Sequence, residues 1–241
     1  MKNILLTGIS RGLGLHIAET LLTSGYSVYG VSRSQSPQLA TLQDQYSGQL
    51  HLQTFDLAQI TEIKSTLFES FVPLDLPLSG FVNNAALAYD DIITNLNFDR
   101  LEAMYRVNVF APLMMTKQVI RNMLLHQTRG AIVHISSISV HTGYKGLAMY
   151  ASGKGALEAF SKNTAREWGE RGIRSNCIVA GFMETDMSAG LSEDQKNRIY
   201  KRTSLKQATA PQSVAAMVEF LLSDRSVSVT GQNLFVDSGT I

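Results

Sequence analysis

The sequence has a single cysteine, Cys177, so no disulfide can form within the chain and a reducing compartment is allowed. It has almost no net charge (+1) and no block of like charge, which excludes the basic field that nucleic acid or an anionic membrane would need. No uncharged apolar run approaches the roughly 18 residues of a membrane span. The opening MKNILLTG runs straight into a glycine turn and lacks a small-residue cleavage site, so it reads as a first strand and not a signal peptide. Metal-ligand spacing is missing too: the five histidines (16, 51, 126, 134 and 141) are scattered, and no second cysteine is present for zinc. No internal repeat, low-complexity tract or Pro/Gly linker interrupts the 241 residues, and 44% of them are hydrophobic, enough for a full core. The expectation is one domain over 1–241, soluble and cytoplasmic, with no nucleic-acid or membrane partner.

What the chain does have is alternation. Short apolar runs at 3–7, 26–32, 50–55, 78–84, 130–136, 174–180 and 233–237 alternate with helix-like segments near 12–24, 36–46, 59–70, 97–127, 150–170 and 211–222. Apolar strands separated by helices predict an α/β fold with a seven-stranded parallel sheet and helices on both faces. The stretch 182–210 is the least periodic and most polar, which suits a flap over a site. Ligands of such sheets bind beyond the carboxyl ends of the strands. Gly8, Arg33, Asp56, the Asn83–Asn84 pair, Ser137 and Gly181 all fall at those ends. Seven unusual residues at six strand ends on one edge predict a site there.

TGISRGLG (Thr7–Gly14) puts three glycines where a strand turns into a helix. Glycine lets the backbone approach a pyrophosphate, and the helix start offers free N–H groups to it. Gly8, Ser10, Arg11, Gly12, Leu13 and Gly14 are therefore the expected phosphate-side contacts, although the Gly-x3-Gly-x-Gly spacing is not the common G-x-G-x-x-G. About 20 residues on, an NAD site carries an acid for the ribose 2′-hydroxyl. Here VSRS supplies Ser32 and Arg33 instead, and Arg11 adds a second guanidinium. Two arginines without a carboxylate suit a 2′-phosphate and hence NADP(H). The plain alternative is two solvated surface arginines.

YRVNVFAP (Tyr105–Pro112) lies inside the long helical segment. Pro112 has no N–H for the carbonyl of Asn108, so a kink is expected there. It leaves that carbonyl free for a water, or it is ordinary packing; the motif alone fits both. MYASGK puts Tyr150 and Lys154 one helical turn apart on one face.

Thr7–Gly14, the NNAA of Asn83–Ala86, Asn108, the Ser137 of HISS and Tyr150-x3-Lys154 together resemble the short-chain dehydrogenase/reductases, over essentially the whole chain. AGFMETDMSAGLSEDQ (Ala180–Gln195) and VTGQNLFVDSG resemble most the 3-oxoacyl-(acyl-carrier-protein) reductases of that family. The resemblance implies a doubly wound Rossmann-type domain and a catalytic tetrad of Asn108, Ser137, Tyr150 and Lys154. It implies cofactor contacts at Asp56, Leu57, Asn84, Ala85 and Gly181, with the Thr185 hydroxyl near the nicotinamide amide. It also implies a homotetramer paired through 97–127 and 150–170, and a carrier-protein landing place at Arg171 and, one position off the family's second arginine, Arg129. Ala86 and Ala180 depart from the family's usual Gly and Pro. Met183 and Met187 are candidates for an acyl pocket or plain core, while Glu184 and Asp186 read as a solvated flap.

The expected chemistry is proton donation from Tyr150 to a carbonyl oxygen that Ser137 also hydrogen-bonds, as hydride arrives from the nicotinamide. Bringing a tyrosine from about 10 to near 7 takes roughly 4 kcal/mol. A charge about 4 Å away in a partly dry site supplies that, whereas an exposed i,i+4 pair supplies about 0.2–0.5 kcal/mol. Lys154 is therefore expected to pull Tyr150 down only in a partly dry site, helped by the positive charge of the oxidised nicotinamide. The leading expectation is an NADPH-dependent reductase of a 3-oxoacyl thioester. A reductase of another ketone or secondary alcohol, and a non-catalytic dinucleotide-binding scaffold, stay open beside it.

Overall fold

Strand β1 (Asn3–Thr7) shows why the sheet needs cover on both sides. Ile4 and Leu6 pack into one helical layer and Leu5 into the other. The computed structural model describes residues 2–185, 190 and 192–241. Strands β1, β2 (Ser27–Ser32), β3 (Leu50–Thr54), β4 (Leu78–Asn83), β5 (Ala131–Ser137), β6 (Arg174–Ala180) and β7 (Asn233–Val236) form one sheet in the order β3-β2-β1-β4-β5-β6-β7. Every pairing is parallel. The fold is a single Rossmann-like α/β domain, as the alternation predicts.

Helices α1 (Gly12–Thr23) and α2 (Pro37–Gln45) cover one face, starting at Gly12 and, under a Ser36 cap, at Pro37. The opposite face is covered by a helix at Lys64–Phe71 and by Met115, Val119 and Met123 of a helix at Ala111–Leu125. Each fully buried aliphatic side chain there contributes roughly 1.5–3 kcal/mol. The chain runs outward from β1 to β3, then crosses back to β4. That reversal opens a crevice beyond the carboxyl ends of β1 and β4, where ligands of such sheets bind.

Three segments differ from the sequence reading. The 59–70 segment is a 3-10 turn at Ile60–Glu62 followed by a π-helix at Lys64–Phe71. The wider spacing is visible in Val72 N–H donating to Leu67 O and Ser70 Oγ donating to Ser65 O, each five residues back. It lets Ile63, Leu67, Phe68 and Phe71 reach one core. The 97–127 segment is two α-helices, α3 (Phe98–Tyr105) and α4 (Ala111–Leu125), joined by a π-helical turn at Arg106–Phe110. The widened turn lies at the place where Pro112 has no N–H to give. Within 182–210, a helix forms at Glu193–Arg202, opened by a reciprocal cap between Ser192 and Gln195. With α5 (Ser139–Thr142) and α6 (Ala148–Trp168) ahead of it, this helix is α7, and Pro211–Leu222 is α8. Helix α8 packs on the α1 side of the sheet. None of the helices among the described residues is long and apolar enough to cross a membrane.

Candidate active site

The glycine loop is built by close approach. Gly8 has φ +73°, and a Cβ on Gly14 would sit 1.9 Å from the Gly8 carbonyl oxygen, so no side chain fits at either position. Asn84 clips the loop from the far side, its Nδ2 donating to Thr7 O and Gly8 O at 3.1 Å each. The fully buried Thr7 hydroxyl completes the clip by accepting from the N–H groups of Asn84 (3.1 Å) and Ala85 (3.2 Å). Sequence reasoning passed over Thr7 as mere strand; a hydroxyl at the last position of a buried strand was the available signal. Helix α1 begins beyond the loop with no side-chain cap and no acid in its first turn, so its N-terminus is electrostatically open to an anion.

A cleft of about 820 Å³ runs from this loop across the strand ends. Gly8, Ser10, Arg11, Gly12, Leu13, Gly14, Ser32, Arg33, Asp56, Leu57, Asn84 and Ala85 line one part of it. Ser137, Tyr150, Lys154 and Gly181 line it as well, with Ala86 and Met183, and Thr185 stands against the glycine loop, 3.7 Å from where a Gly12 Cβ would be. Asp186 and Met187 lie outside the described residues. Arg33 is exposed at the rim and has no ion pair or hydrogen bond among the described residues. Asp56 turns its carboxylate onto the Ala58 N–H. Gly181 sits where a Cβ would meet Thr209 Oγ1 at 2.3 Å, so the chain entering the flap is packed tightly even though Ala180 stands before it.

Ser137 closes β5, and its Oγ accepts hydrogen bonds from Ser139 N–H (3.2 Å) and Ser139 Oγ (3.0 Å). Both contacts use its lone pairs, so its own proton is left to donate elsewhere. Lys154 is only 2% exposed; its Nζ donates to Ile135 O at 2.7 Å and lies 5.7 Å from the Tyr150 ring centroid. Burial pushes the Lys154 ammonium down to about 8, against a smaller upward pull from Cys177. In the chain alone, Tyr150 is pushed the other way. Burial, with the nearby Asp90 carboxylate adding to it, pushes its hydroxyl above the ordinary tyrosine value. Without a cofactor's charge, the lysine does not offset desolvation. Tyr150 is a firmly protonated acid.

Asn108 is 1% exposed and does not line the cleft. Its side chain clamps the backbone of Leu87, accepting from Leu87 N–H at 2.7 Å and donating to Leu87 O at 2.9 Å. Asn122 repeats the device fourteen residues later, bridging Leu76 O and Leu78 N–H. A poor helix former thus earns its helical place by offering a donor and an acceptor together.

Glu158, one turn beyond Lys154 on α6, is another group the sequence reading missed. Its carboxylate is 7% exposed and accepts from Ser136 Oγ (2.5 Å) and Asn233 Nδ2 (2.7 Å), with His141 Nε2 3.0 Å away. Strands β5 and β7 and helix α5 are thereby tied to the helix that carries Tyr150 and Lys154. Nearby, His134 on β5 is fully buried; burial and then the Lys154 charge hold its imidazole down to about 3.

The two arginines expected beside the site mouth lie elsewhere. Arg129 precedes β5 and Arg171 precedes β6, while the cleft opens at the far ends of those strands. The seven residues of β5 span about 20 Å at roughly 3.3 Å per residue. The Arg129 side chain crosses Gly172, the residue after Arg171, on the opposite edge of the sheet from the cleft. In the flap, Glu184 is exposed and accepts from Tyr200 OH, which fastens the loop after β6 to α7.

Comparison with known proteins agrees with this architecture. The 3-oxoacyl-(acyl-carrier-protein) reductases FabG of Salmonella typhimurium and of Escherichia coli strain K12 are each 34% identical over 99% of this chain and 96% of their own length. That of Chlamydia trachomatis is 32% identical over the same shares. Among solved structures, a putative NAD(P)-dependent gluconate 5-dehydrogenase from Beutenbergia cavernae, with bound NADP, superposes with a TM-score of 0.92 at 25% identity, covering 99% of this chain and 96% of its own. A 4-hydroxyisoleucine dehydrogenase complexed with NADH shares the fold with the same TM-score at 24% identity, over 100% of this chain and 98% of that one. A family model described as enoyl-(acyl carrier protein) reductase matches residues 8–240. The chain belongs to the short-chain dehydrogenase/reductase family of oxidoreductases.

Proposed function

We propose that the protein is an NADPH-dependent carbonyl reductase acting on a 3-oxoacyl thioester, with Tyr150, Ser137 and Lys154 as catalytic residues and Asn108 in support. The observation that carries the reading is the meeting, on one cleft, of a tyrosine held protonated, a serine whose proton is uncommitted and a glycine loop too tight for side chains. The names of the 32–34% identical relatives support the thioester substrate.

The residues present fit a dinucleotide phosphate. The Gly8–Gly14 backbone and the uncapped start of α1 would hold the pyrophosphate, and Arg33 with Arg11 the 2′-phosphate. Asp56 and Leu57 would flank the adenine, and Thr185 the nicotinamide amide. When bound, the cofactor supplies the hydride that reduces the carbonyl carbon. Tyr150 gives its proton to the carbonyl oxygen, and Ser137 donates a hydrogen bond to the same oxygen. The tyrosinate left behind regains a proton from solvent. Lys154 commits one of its three N–H donors to Ile135 O. The other two are available to the ribose hydroxyls, and its charge steadies the transient tyrosinate.

Copies of the chain are proposed to pair through α3, α4 and α6, where Phe98 and Phe110 stay exposed. A carrier protein on Arg129 and Arg171 would then serve a neighbouring chain's cleft, since those residues stand about 20 Å from their own.

Initial rates on a panel of ketones and 3-oxoacyl thioesters, each with NADPH and NADH, test the function. Thioester-dependent oxidation of NADPH is expected; cofactor binding without any turnover would favour the scaffold reading. Cofactor choice has its own test. Charge-assisted hydrogen bonds to phosphate are worth about 1.5–3 kcal/mol, so Arg33→Ala should weaken NADPH by about 10- to 100-fold and change NADH little. Equal losses for both cofactors would remove the 2′-phosphate assignment.

A further inference from the structure

The cleft carries more charged groups than the proposed cofactor contacts use. Arg11, Arg33 and Asp56 are among those contacts; Lys145, Arg202 and Asp90 line the same cleft and are not. Lys145 and Arg202 are exposed, and neither side chain makes an ion pair or hydrogen bond among the described residues. Tyr144 links the two segments that carry them. The Arg202 guanidinium lies 5.9 Å from the Tyr144 ring centroid, and Lys145 is the next residue along. The loop that carries Tyr144 and Lys145 turns on Gly143 and Gly146, both at positive φ, and is pinned by the Asp91 N–H donating to Gly146 O at 2.9 Å.

An ordinary explanation covers half of this pair. Arg202 ends α7, where a cation meets the negative end of the helix dipole. Lys145 is in a loop and has no such reason to stand in the cleft. Two exposed cations on one cleft with the reacting groups, neither paired with a carboxylate among the described residues, attract an anion. The guanidinium fork additionally suits the paired oxygens of a carboxylate or phosphate. Asp90 stands on the Tyr150 side, as its effect on that hydroxyl indicates, and repels an anion from the carbonyl end.

We propose that Lys145 and Arg202 form an anion subsite for the part of the substrate that extends away from the reacting carbonyl. The substrate therefore carries a carboxylate or a phosphodiester in addition to its ketone. The proposal rests on the reductase reading and narrows it, because a neutral ketone leaves both cations unused. A pantetheine arm brings a phosphodiester, and a small keto acid brings a carboxylate.

Two matched substrate pairs separate those sources. The 3-oxobutanoyl thioesters of pantetheine and 4′-phosphopantetheine differ only by the phosphate; the diethyl and monoethyl esters of 3-oxoglutarate differ by a carboxylate. Wild type is expected to prefer the anionic member of one pair by about tenfold or more in kcat/KM, chiefly through KM. In the double variant Lys145→Ala with Arg202→Gln, that preference should fall to near unity. The pair that shows the effect names the anion. No preference in either pair, or one that survives in the double variant, overturns the proposal. If no ketone is turned over, the reductase reading fails instead, and calorimetry with 4′-phosphopantetheine and glutarate in the presence of NADPH reads the subsite directly. Binding of one probe by wild type and its loss in the double variant supports it; equal behaviour of the two proteins overturns it.

Discussion

Tyr150→Phe should reduce ketone turnover by about 10²-fold or more while NADPH binds as before, since the ring stays and only the proton donor is lost. The structure adds a pH signature. Burial and Asp90 hold the Tyr150 hydroxyl above its ordinary value, so its proton is present throughout pH 6–9. Reduction should show no titration of this group in that range. Alcohol oxidation needs the tyrosinate as base and should speed up as pH rises. Initial rates in both directions across pH 6–10, for wild type and Tyr150→Phe, check both statements. Near-normal reduction by the phenylalanine variant at pH 7 would overturn the mechanism.

Lys154→Met should lose activity and cofactor affinity and yet gain stability. In wild type the folded lysine titrates at about 8 against 10.5 when free, because burial disfavours its charge. The unfolded chain therefore binds more protons than the folded chain between those values. Stability rises with pH through that window, and the cost of the buried charge is fully present below about 8. A shift of this size corresponds to on the order of 3 kcal/mol, of which the lost bond to Ile135 O takes back about 1. Methionine keeps the stem and has no charge to bury. Its Tm should exceed that of wild type by several degrees at pH 7, and the gap should shrink by pH 10. A variant less stable than wild type at pH 7 would show that the ammonium is better compensated than its burial suggests.

The strand and helix order was readable because periodicity is local, and both faces of the sheet are covered, which keeps the inner strands β1, β4, β5 and β6 almost wholly buried. The cleft residues from Gly8 to Thr185 were readable for a related reason: parallel strands deliver their last residues to one edge, so position along the chain implies position in space. Long-range partners were not readable. Nothing near Glu158 announces that Asn233, 75 residues away, donates to it. Nothing around Lys145 announces Tyr144 beneath Arg202, because α7 has to form first. The upward push on Tyr150 was not readable because desolvation depends on packing, while spacing along a helix reveals only its lysine neighbour. Arg129 and Arg171 were misplaced because the resemblance gave their positions in the chain without the edge of the sheet from which they project.

Cys177 has a practical consequence. It lies in the middle of β6, fully buried, with its thiol pushed up to about 12 by burial, so it presents almost no thiolate to solvent at neutral pH. For labelling chemistry the native protein is effectively blank. A cysteine introduced at the exposed Arg198 of α7 would be the one reactive thiol, ready to carry a fluorophore or spin label without removal of any native residue. The approach of substrate to the flap could then be followed by spectroscopy in an otherwise unaltered enzyme.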